Sequence, residues 1–352
     1  MKHQLITNLA FTVSVWALLA GAAAADTVGP SGEAATPTSK ITVDDSQTAT
    51  LKSKGLKAAL LWHDQSDFVN AVTAGAKDEF ARTGIQIVAT TSAGFDSAKQ
   101  ASDVETALAL KPNIILSLPL DPVASAAAFK KAKDAGVKLV FLSNLPKDYK
   151  QPADYAAIVT DDLYQMGKHA ADALAASVGK KGKVGYIFHD ASYYVTNQRD
   201  QAFKDTIKKD YPDMQVVAEA GISDPARAQE IAAAMLLKNP DLAGIYVTWS
   251  GPAEGVLSAL RAAGNKTTKL VTLDLSEPIA LDMVKGGNVT AIVADEAYEL
   301  GRAMAAVGER AALGADNPPF VVAPALTVTK DTVAEGWQKS LHKDAPASLL
   351  AK

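Results

Sequence analysis

The stretch that decides the fold is Lys183–Phe203, KVGYIFHDASYYVTNQRDQAF. It opens with a short apolar run, Val184–Phe188, which is typical of a strand buried on both faces. The run ends at His189-Asp190, and a polar and aromatic loop leads into a helical pattern that carries Arg199 in its first turns. Ligands of open parallel sheets bind beyond the carboxyl ends of the strands, so this stretch predicts a strand, a ligand-facing loop and a helix start.

The same order of features occurs earlier in the chain. A strand pattern at Ala58–Trp62 ends at His63-Asp64, and a helical pattern follows from about Phe68. Two halves that each open with a strand ending in His-Asp predict two similar α/β domains that face one another.

From residue 57 onward, apolar strand patterns alternate with helical patterns, which predicts parallel sheets covered by helices on both faces. Neither half carries a strand-terminal G-x-G-x-x-G, and no G-x-x-x-x-G-K-[ST] or G-x-S-x-G occurs, so we expect no cofactor. The predicted strands are Ala58–Trp62, Ile85–Thr90, Ile114–Leu118, Val137–Leu142, Ala156–Val159, Val184–Phe188, Gln215–Ala218, Gly244–Thr248, Leu270–Leu273 and Val289–Val293.

Length and composition suit an exported protein of two packed domains. The chain has 352 residues, of which 48% are hydrophobic. Its net charge is −4 with no basic block, which argues against non-specific binding to nucleic acid. The absence of cysteine excludes disulfides, thiolate catalysis and a lipidated cysteine at the new N-terminus.

Residues 1–25 have the features of a secretory signal peptide. An apolar segment, Leu9–Leu19, follows a short polar head, and Ala23–Ala25 offers a cleavage site of small residues before Asp26. The alternative, a membrane anchor, is disfavoured because this segment is shorter than the ~20 residues of a spanning helix. Residues 26–54 are rich in small and polar residues without a periodic apolar face, so we expect a flexible arm there. The mature protein is expected in the periplasm.

An ordered set of segments, rather than one diagnostic motif, carries a family resemblance. The segments are Ala58–Gly75, Ile114–Asp121, Gly136–Asn144, Gln198–Phe203, Leu270–Leu275 and Val289–Glu296. Together they resemble the periplasmic sugar-binding proteins of the ribose/galactose type, which are solute receptors of ABC importers and relatives of the LacI repressor core. The front of this chain carries no helix-turn-helix, so the DNA-binding branch is excluded.

The resemblance implies a type I periplasmic-binding-protein fold, in which two doubly wound parallel-sheet lobes are joined by a three-crossing hinge and clasp a sugar. The N-terminal lobe would comprise residues 55–160 with 295–323, and the C-terminal lobe residues 161–294 with 324–352. The crossings are implied near Thr160-Asp161, Ala294-Asp295 and Ala323-Pro324.

A sugar or polyol presents apolar faces and many hydroxyl groups, so its site needs flat apolar surfaces together with paired donors and acceptors. Trp62 and Phe68 flank the first strand-loop, and Trp249 follows the strand predicted at Gly244–Thr248. All three are candidates to stack on a sugar face, with ordinary packing at the strand ends as the alternative. The resemblance supports Phe68, because family members place an aromatic ring at the matching position.

Polar side chains at strand ends supply candidate hydrogen-bond partners. Asp64, Asp274 and Asp295 can each accept two hydroxyl hydrogen bonds, although Asp64 is equally suited to cap the following helix. The resemblance implies ligand contacts for Asp274 and Asp295. Where ribose- and galactose-type receptors often carry an Asp-Arg or Asn-type pair, this chain has Ser143-Asn144, so Asn144 is a candidate and the sugar stays unidentified.

Arg199 matches the ligand-binding arginine of the family, and its guanidinium can form two parallel hydrogen bonds to one ligand. The alternative is a surface ion pair with Asp200 or Asp205. Asn197 lies nearby and is a further candidate for a polar contact. Neither Arg199 nor Asp274 is expected to support a core, so their loss should weaken binding more than folding.

The two His-Asp dipeptides suggest two further hypotheses. His63, Asp64, His189 and Asp190 would form a divalent-metal site if they converged across a closed cleft. A hydrolase that uses His and Asp as acid and base is also conceivable. Histidines at strand ends are more often hydrogen-bonding neighbours or ligand contacts, so we expect no metal.

The sequence therefore predicts a periplasmic substrate-binding protein that captures a monosaccharide or sugar alcohol between two lobes. It would close about the hinge and deliver the sugar to the permease of an ABC transporter and its ATPase partner. We expect a monomer that catalyses nothing. The alternative is a periplasmic sugar sensor that presents its closed form to a chemoreceptor or sensor kinase, and an enzyme is a third hypothesis.

Overall fold

The computed structural model describes residues 27–350, which form two α/β lobes. The predicted signal peptide, residues 1–25, lies outside the described residues. The strands are β1 (Thr36–Pro37), β2 (Lys57–Trp62), β3 (Gln86–Ser92), β4 (Ile114–Ser117), β5 (Lys138–Leu142), β6 (Ala157–Asp161), β7 (Gly182–His189), β8 (Met214–Ile222), β9 (Leu242–Val247), β10 (Lys269–Leu273), β11 (Val289–Ala294), β12 (Phe320–Ala323) and β13 (Leu326–Val328). The α-helices are α1 (Asp45–Lys54), α2 (Asp67–Thr83), α3 (Ser97–Ala109), α4 (Pro122–Asp134), α5 (Leu163–Val178), α6 (Tyr194–Asp210), α7 (Ala228–Lys238), α8 (Ser250–Ala262), α9 (Glu277–Val284), α10 (Ala297–Ala312), α11 (Val333–Leu341) and α12 (Ala347–Leu350).

Each lobe is built on one mainly parallel sheet. The seven-stranded sheet of the N-terminal lobe has the order β1-β12-β6-β5-β4-β2-β3, and all its pairs are parallel. The six-stranded sheet of the C-terminal lobe has the order β13-β11-β10-β9-β7-β8, in which β13 runs antiparallel to β11. Helices cover both faces, so every residue of β4 and β6 is buried. The predicted class of two doubly wound lobes is confirmed.

The chain passes from one sheet to the other three times. β6 ends at Asp161 in the N-terminal lobe, and α5 then packs on β9, β10 and β11 of the C-terminal lobe. β11 ends at Ala294, and α10 returns to pack on α2, β4 and β5. β12 ends at Ala323, and β13 begins at Leu326 in the other sheet. The carboxyl ends of β6 and β11 therefore lie at the boundary between the lobes.

The C-terminal segment contacts both lobes rather than the C-terminal lobe alone. β13 pairs with β11, and α12 packs on α9, so both belong with the C-terminal lobe. The intervening α11 packs on α2 and α10 of the N-terminal lobe as well as on β13. We therefore assign α11 to the junction of the lobes.

The prediction of a flexible arm at residues 26–54 is wrong for the described part of this segment, because residues 27–54 are attached to the lobes and the part from Thr36 onward packs on the N-terminal lobe. β1 extends the sheet by pairing with β12, and α1 begins with a capping box between Asp44 and Gln47. Ile41, Val43 and Leu51 are buried in the core. These apolar residues are few and fall on different elements, so the segment shows no helical or strand period that the sequence analysis could detect.

Candidate functional site

A cavity of about 410 Å³ lies between the lobes, at the carboxyl ends of strands from both sheets. Loops that follow β2, β3, β4, β5, β7, β9 and β10 line it, together with the end of β6. This is the position expected for ligands of open parallel sheets. The lining residues are His63, Asp64, Gln65, Ser66, Asp67, Phe68, Asn70, Phe95, Leu118, Leu120, Ser143, Asn144, Asp161, His189, Tyr193, Val195, Thr196, Arg199, Trp249, Ser250, Gly251, Glu254, Asp274, Leu275, Ser276 and Pro278.

Three lining residues adopt left-handed backbone conformations that favour glycine. Phe95 has φ 61°, Ser143 has φ 59° and Asp274 has φ 64°. Ser143 and Asp274 come directly after β5 and β10, so in each lobe one strand ends in a sharp turn at the cavity. Such conformations cost energy and cluster at ligand sites, where the surrounding structure holds them in place.

Arg199 and Asp274 form a buried ion pair in the wall of the cavity. The Nη1 and Nη2 atoms donate to Oδ1 and Oδ2 of Asp274 at 3.1 and 3.3 Å. The side chains are only 5% and 17% exposed. Burial is the largest single effect and opposes the charge of Arg199, but the combined attraction of Asp274, Tyr246, Asp200 and Asp161 outweighs it, so the pKa of Arg199 is raised. The alternative of a surface ion pair with Asp200 or Asp205 is therefore wrong, because Arg199 pairs with Asp274 in the buried wall of the cavity.

Asp200 anchors the start of α6 and so positions Arg199. Its carboxylate accepts hydrogen bonds from the His189 backbone N–H at 2.9 Å, the Tyr246 hydroxyl at 2.6 Å and the Thr248 hydroxyl at 3.0 Å. Burial raises the pKa of Asp200 to about 6. The carboxylate thereby joins the end of β7, the strand β9 and the helix that carries Arg199.

Asp161 and Asp295 form a carboxyl pair at the boundary between the lobes. Asp161 lines the cavity, whereas Asp295 lies behind it, and each residue is 2% exposed. Burial raises the pKa of Asp161 to about 6 and that of Asp295 well above its ordinary value, and a hydrogen bond links the two carboxyl groups. Two adjacent buried carboxyl groups of this kind share a proton. Oδ1 of Asp161 and Oδ2 of Asp295 have no hydrogen-bond partner among the described residues.

Aromatic and imidazole rings cover a second part of the cavity wall. The His189 ring lies 4.9 Å from Trp249 and 4.8 Å from Tyr193, measured between centroids. His63 contacts Phe95 at 5.5 Å, and Phe95 lies 6.5 Å from Trp249 of the other lobe. Burial lowers the pKa values of His63 and His189 to about 4, so both imidazoles are neutral at pH 7.

Asn144 joins the lobes across the cavity. Its Oδ1 accepts a hydrogen bond from the Val195 N–H at 3.2 Å, and its Nδ2 donates to the Pro119 carbonyl at 2.9 Å. Both polar atoms are thus engaged within the protein. The predicted ligand contact through Asn144 would therefore use the second amide hydrogen or the second lone pair of Oδ1.

The start of α2 presents Asp64 and Phe68 to the cavity. Ser66 is the N-cap of this helix, and its hydroxyl accepts from the Val69 N–H at 3.2 Å. The cap is therefore Ser66 and not Asp64, which removes the alternative role for Asp64. Asp64 is half-buried, and burial raises its pKa.

The candidate residues divide between the cavity and its surroundings. Trp62 is 2% exposed and packs in the same core cluster as Leu60, while Ala59 and Leu61 pack on the opposite face of the sheet. The alternation of the strand thus turns Trp62 away from the cavity. Asn197 is exposed on α6 and does not line the cavity, and Asp295 lies behind Asp161. The candidates that line the cavity are Asp64, Phe68, Asn144, Arg199, Trp249 and Asp274. Their contact with a ligand stays a prediction.

Several lining residues were missing from the candidates. Phe95 follows β3 and Asp161 ends β6, so the strand-end rule that found Asp274 applies equally to both. Asp161 was assigned only to a hinge crossing. Glu254 lies on the first turns of α8 beyond Trp249, where the sequence gives no distinguishing signal.

The His-Asp dipeptides do not converge in a metal site in the part of the chain that the structure describes. His63 and His189 both line the cavity, but Asp190 is exposed and lies outside the lining. Within residues 27–350, no three His, Asp or Glu side chains are close enough to hold a metal ion. None of the helices in this range has the length and apolar character to cross a membrane.

Sequence comparison finds relatives whose names state that they bind or import sugars. The chain is similar to the D-apiose import binding protein of Actinobacillus succinogenes, with 24% identity over 246 residues that cover 70% of this chain and 78% of that protein. It is similar to the D-ribose/D-allose-binding protein of Pseudomonas aeruginosa, with 28% identity over 200 residues that cover 56% of this chain and 62% of that protein.

Solved structures share the fold. An ABC transporter solute-binding protein from Agrobacterium vitis, bound to α-D-tagatopyranose, has a TM-score of 0.74 at 24% identity and covers 83% of this chain and 100% of that chain. Residues 58–316 match the family described as periplasmic binding protein domain, which is more than half of the chain. The chain belongs to the periplasmic binding protein family, as its resemblance to the ribose-type sugar receptors predicted.

Proposed function

We propose that the protein captures a monosaccharide or sugar alcohol in the cavity between its lobes and delivers it, in the periplasm, to the permease of an ABC transporter. The observation that carries the proposal is the cavity, which is lined by both lobes and has a volume of about 410 Å³. That volume lies within the range of about 300–1,000 Å³ that is usual for small-molecule sites. The relatives named for import or binding of apiose, ribose and allose support the choice of ligand class.

The lining suits a ligand with apolar faces and many hydroxyl groups. Trp249, Phe95 and Tyr193 offer ring surfaces, and Asp64 and Asp161 offer carboxylate oxygens. Rings stack on the C–H faces of a sugar while the acceptors take its hydroxyl hydrogens. We propose binding without conversion, because the named relatives are transport receptors.

Contacts across the cavity provide a mechanism for closure. The Val195 N–H donates to Asn144 of the other lobe, and Phe95 meets Trp249. A ligand that contacts both walls stabilises the state in which these contacts form, and so shifts the population towards it. We propose that the permease recognises this closed state of a monomer.

A thermal-shift screen over sugars and sugar alcohols tests the proposal, because a ligand that binds only the folded state raises the melting temperature. Calorimetry and X-ray scattering then follow on each hit. We expect binding and a smaller radius of gyration. A screen in which no sugar or polyol binds would refute the proposal, and an unchanged scattering curve at saturation would refute closure.

A pair of variants locates the binding surface. Trp249→Ala is expected to lower the affinity for the sugar or polyol found in the screen by roughly tenfold, because it removes an aromatic ring from the cavity wall. The matched control is Leu237→Ala, which removes an exposed apolar side chain on α7 outside the cavity. Equal affinities for both variants would place the ligand elsewhere.

A further inference from the structure

The side chains that line the cavity include more acidic groups than basic ones. Among the described residues that line it, Arg199 is the one side chain with a permanent positive charge. Its guanidinium is already paired with Asp274. The remaining carboxylates of the lining therefore lack a cationic partner within it. They belong to Asp64, Asp67, Asp161 and Glu254.

Asp161 is the most deeply placed of these acids. It is 2% exposed, lines the cavity and has an Oδ1 atom without a hydrogen-bond partner among the described residues. Asp161 is hydrogen-bonded to Asp295, which is a second acidic side chain and therefore supplies no positive charge. A buried acceptor without a partner is costly, so a ligand atom that donates a hydrogen bond is the natural occupant of the space in front of it.

Two of the polar groups in the wall, the Asn144 amide and the Arg199 guanidinium, are already engaged within the protein, and aromatic rings cover another part of the wall. The amide of Asn144 is engaged with Pro119 and Val195, so it has little to offer a ligand. Trp249 and Phe95 present ring surfaces from opposite lobes. A protonated amine has donors and no acceptor, and its charge is attracted both to carboxylates and to the faces of aromatic rings. A hydroxyl group in the same place satisfies the acceptor but leaves the charge uncompensated.

We propose, on the basis of the function proposed above, that the ligand is an amino sugar or an aminocyclitol, and that its protonated amine binds against Asp161. The rest of the ligand lies between the rings and the Arg199–Asp274 pair. The carboxylate of Asp64, in the N-terminal lobe, also attracts the protonated amine. The amine neutralises the charge that the cavity leaves unpaired.

Calorimetry with matched ligand pairs tests this inference. The probes are D-glucosamine, D-galactosamine, D-mannosamine and scyllo-inosamine, each compared with the parent compound that carries a hydroxyl group in place of the amine. N-acetyl-D-glucosamine serves as the uncharged control. We expect an amine to bind at least about tenfold more tightly than its parent, because a charge-assisted hydrogen bond exceeds a neutral one by this factor, and the preference should shrink at high salt.

The outcomes separate the two proposals. Binding of neutral sugars with equal or higher affinity would overturn the inference and leave the sugar-receptor proposal intact. If neither the amines nor the neutral members of a broad panel bind, both proposals fail. A preference for amines that salt does not reduce would show that the charge is not its cause, and would also overturn the inference.

Substitutions then assign the preference to residues. Asp161→Asn keeps the shape and supplies an amide hydrogen to Asp295, so we expect it to lose the preference for the amine while retaining the neutral parent. Equal weakening of both ligands would indicate a structural role and would overturn the assignment to Asp161. Asp64→Asn gives a second test with a smaller loss, whether or not the first variant folds. The matched control is Glu105→Gln, which removes an exposed charge on α3 outside the cavity.

Discussion

Replacing Arg199 with an uncharged residue measures how much the buried Arg199–Asp274 ion pair contributes to the free energy of unfolding. Arg199→Met keeps much of the apolar stem but leaves the Asp274 carboxylate without its counter-charge, at a side chain that is 17% exposed. Loss of one partner of a buried pair costs about 3–5 kcal/mol. We expect a cost near 3 kcal/mol in the free energy of unfolding, at the lower end because the cavity gives Asp274 some access to water.

The assay is urea unfolding of the ligand-free protein, followed by tryptophan fluorescence and circular dichroism. A double-mutant cycle with Asp274→Asn isolates the coupling between the two side chains. The control is Lys130→Met, which breaks an ion pair whose side chains are 65% and 52% exposed and should cost at most about 1 kcal/mol. If Arg199→Met costs no more than this control, the pair does not stabilise the fold and the reasoning is wrong.

Three further predictions address the interior and the cleft. Burial raises the pKa of Glu309 to about 8, so between about pH 4.5 and 8 the folded state holds a proton that the unfolded state releases, and the contribution of Glu309 makes stability fall as pH rises. Glu309→Gln should make the loss of stability across this range smaller than in the parent, as measured by urea unfolding at both ends of the range, and an unchanged loss would refute this assignment. Asn144→Ala removes the hydrogen bond from the Val195 N–H across the cleft and should weaken ligand binding by roughly threefold to tenfold in calorimetry, with an unaltered affinity refuting a role in closure. Trp62→Phe should lower the melting temperature without changing affinity, since Trp62 packs in the core; a loss of affinity at unchanged stability would return this residue to the site.

The fold was predictable because the signals that specify it are local and periodic. Short apolar runs ending at polar residues predict β2 to β11 but not β1, β12 and β13, and the same rule places Asp274 and Trp249 at the cavity. The alternation that turns Trp62 into the core is also present in the sequence, but a position at a strand end is equally typical of a ligand contact, so the sequence alone does not separate the two roles. Asp161 ends β6 and also begins a crossing between the lobes, so its place at the crossing accounts for this residue without predicting that it lines the cavity.

Pairing between distant side chains could not be predicted in the same way. Arg199 and Asp274 are separated by 75 positions, and a single sequence contains nothing that distinguishes bonding to each other from bonding to a ligand. The ordered segment before β2 was missed for a related reason. Helix α1, which carries Leu51, packs on α2, and the turn before Ile41 packs on α10 from the far end of the chain, so the burial of this segment depends on contacts that its own sequence does not show.

The segment from Thr27 to Pro37 sets a geometric limit on how the cleft opens. Thr27 bonds to Asp162 and to the Tyr164 N–H, and the Tyr194 hydroxyl donates to the Val28 carbonyl, all in the C-terminal lobe. From Thr36 the same segment pairs with the sheet of the other lobe. Eight residue steps separate these two attachments, so the segment is a tether that spans at most about 28 Å when straight. An opening wider than this must break the hydrogen bond between Tyr194 and the Val28 carbonyl, and each hydrogen bond lost adds roughly 0.5–1.5 kcal/mol to the work of opening.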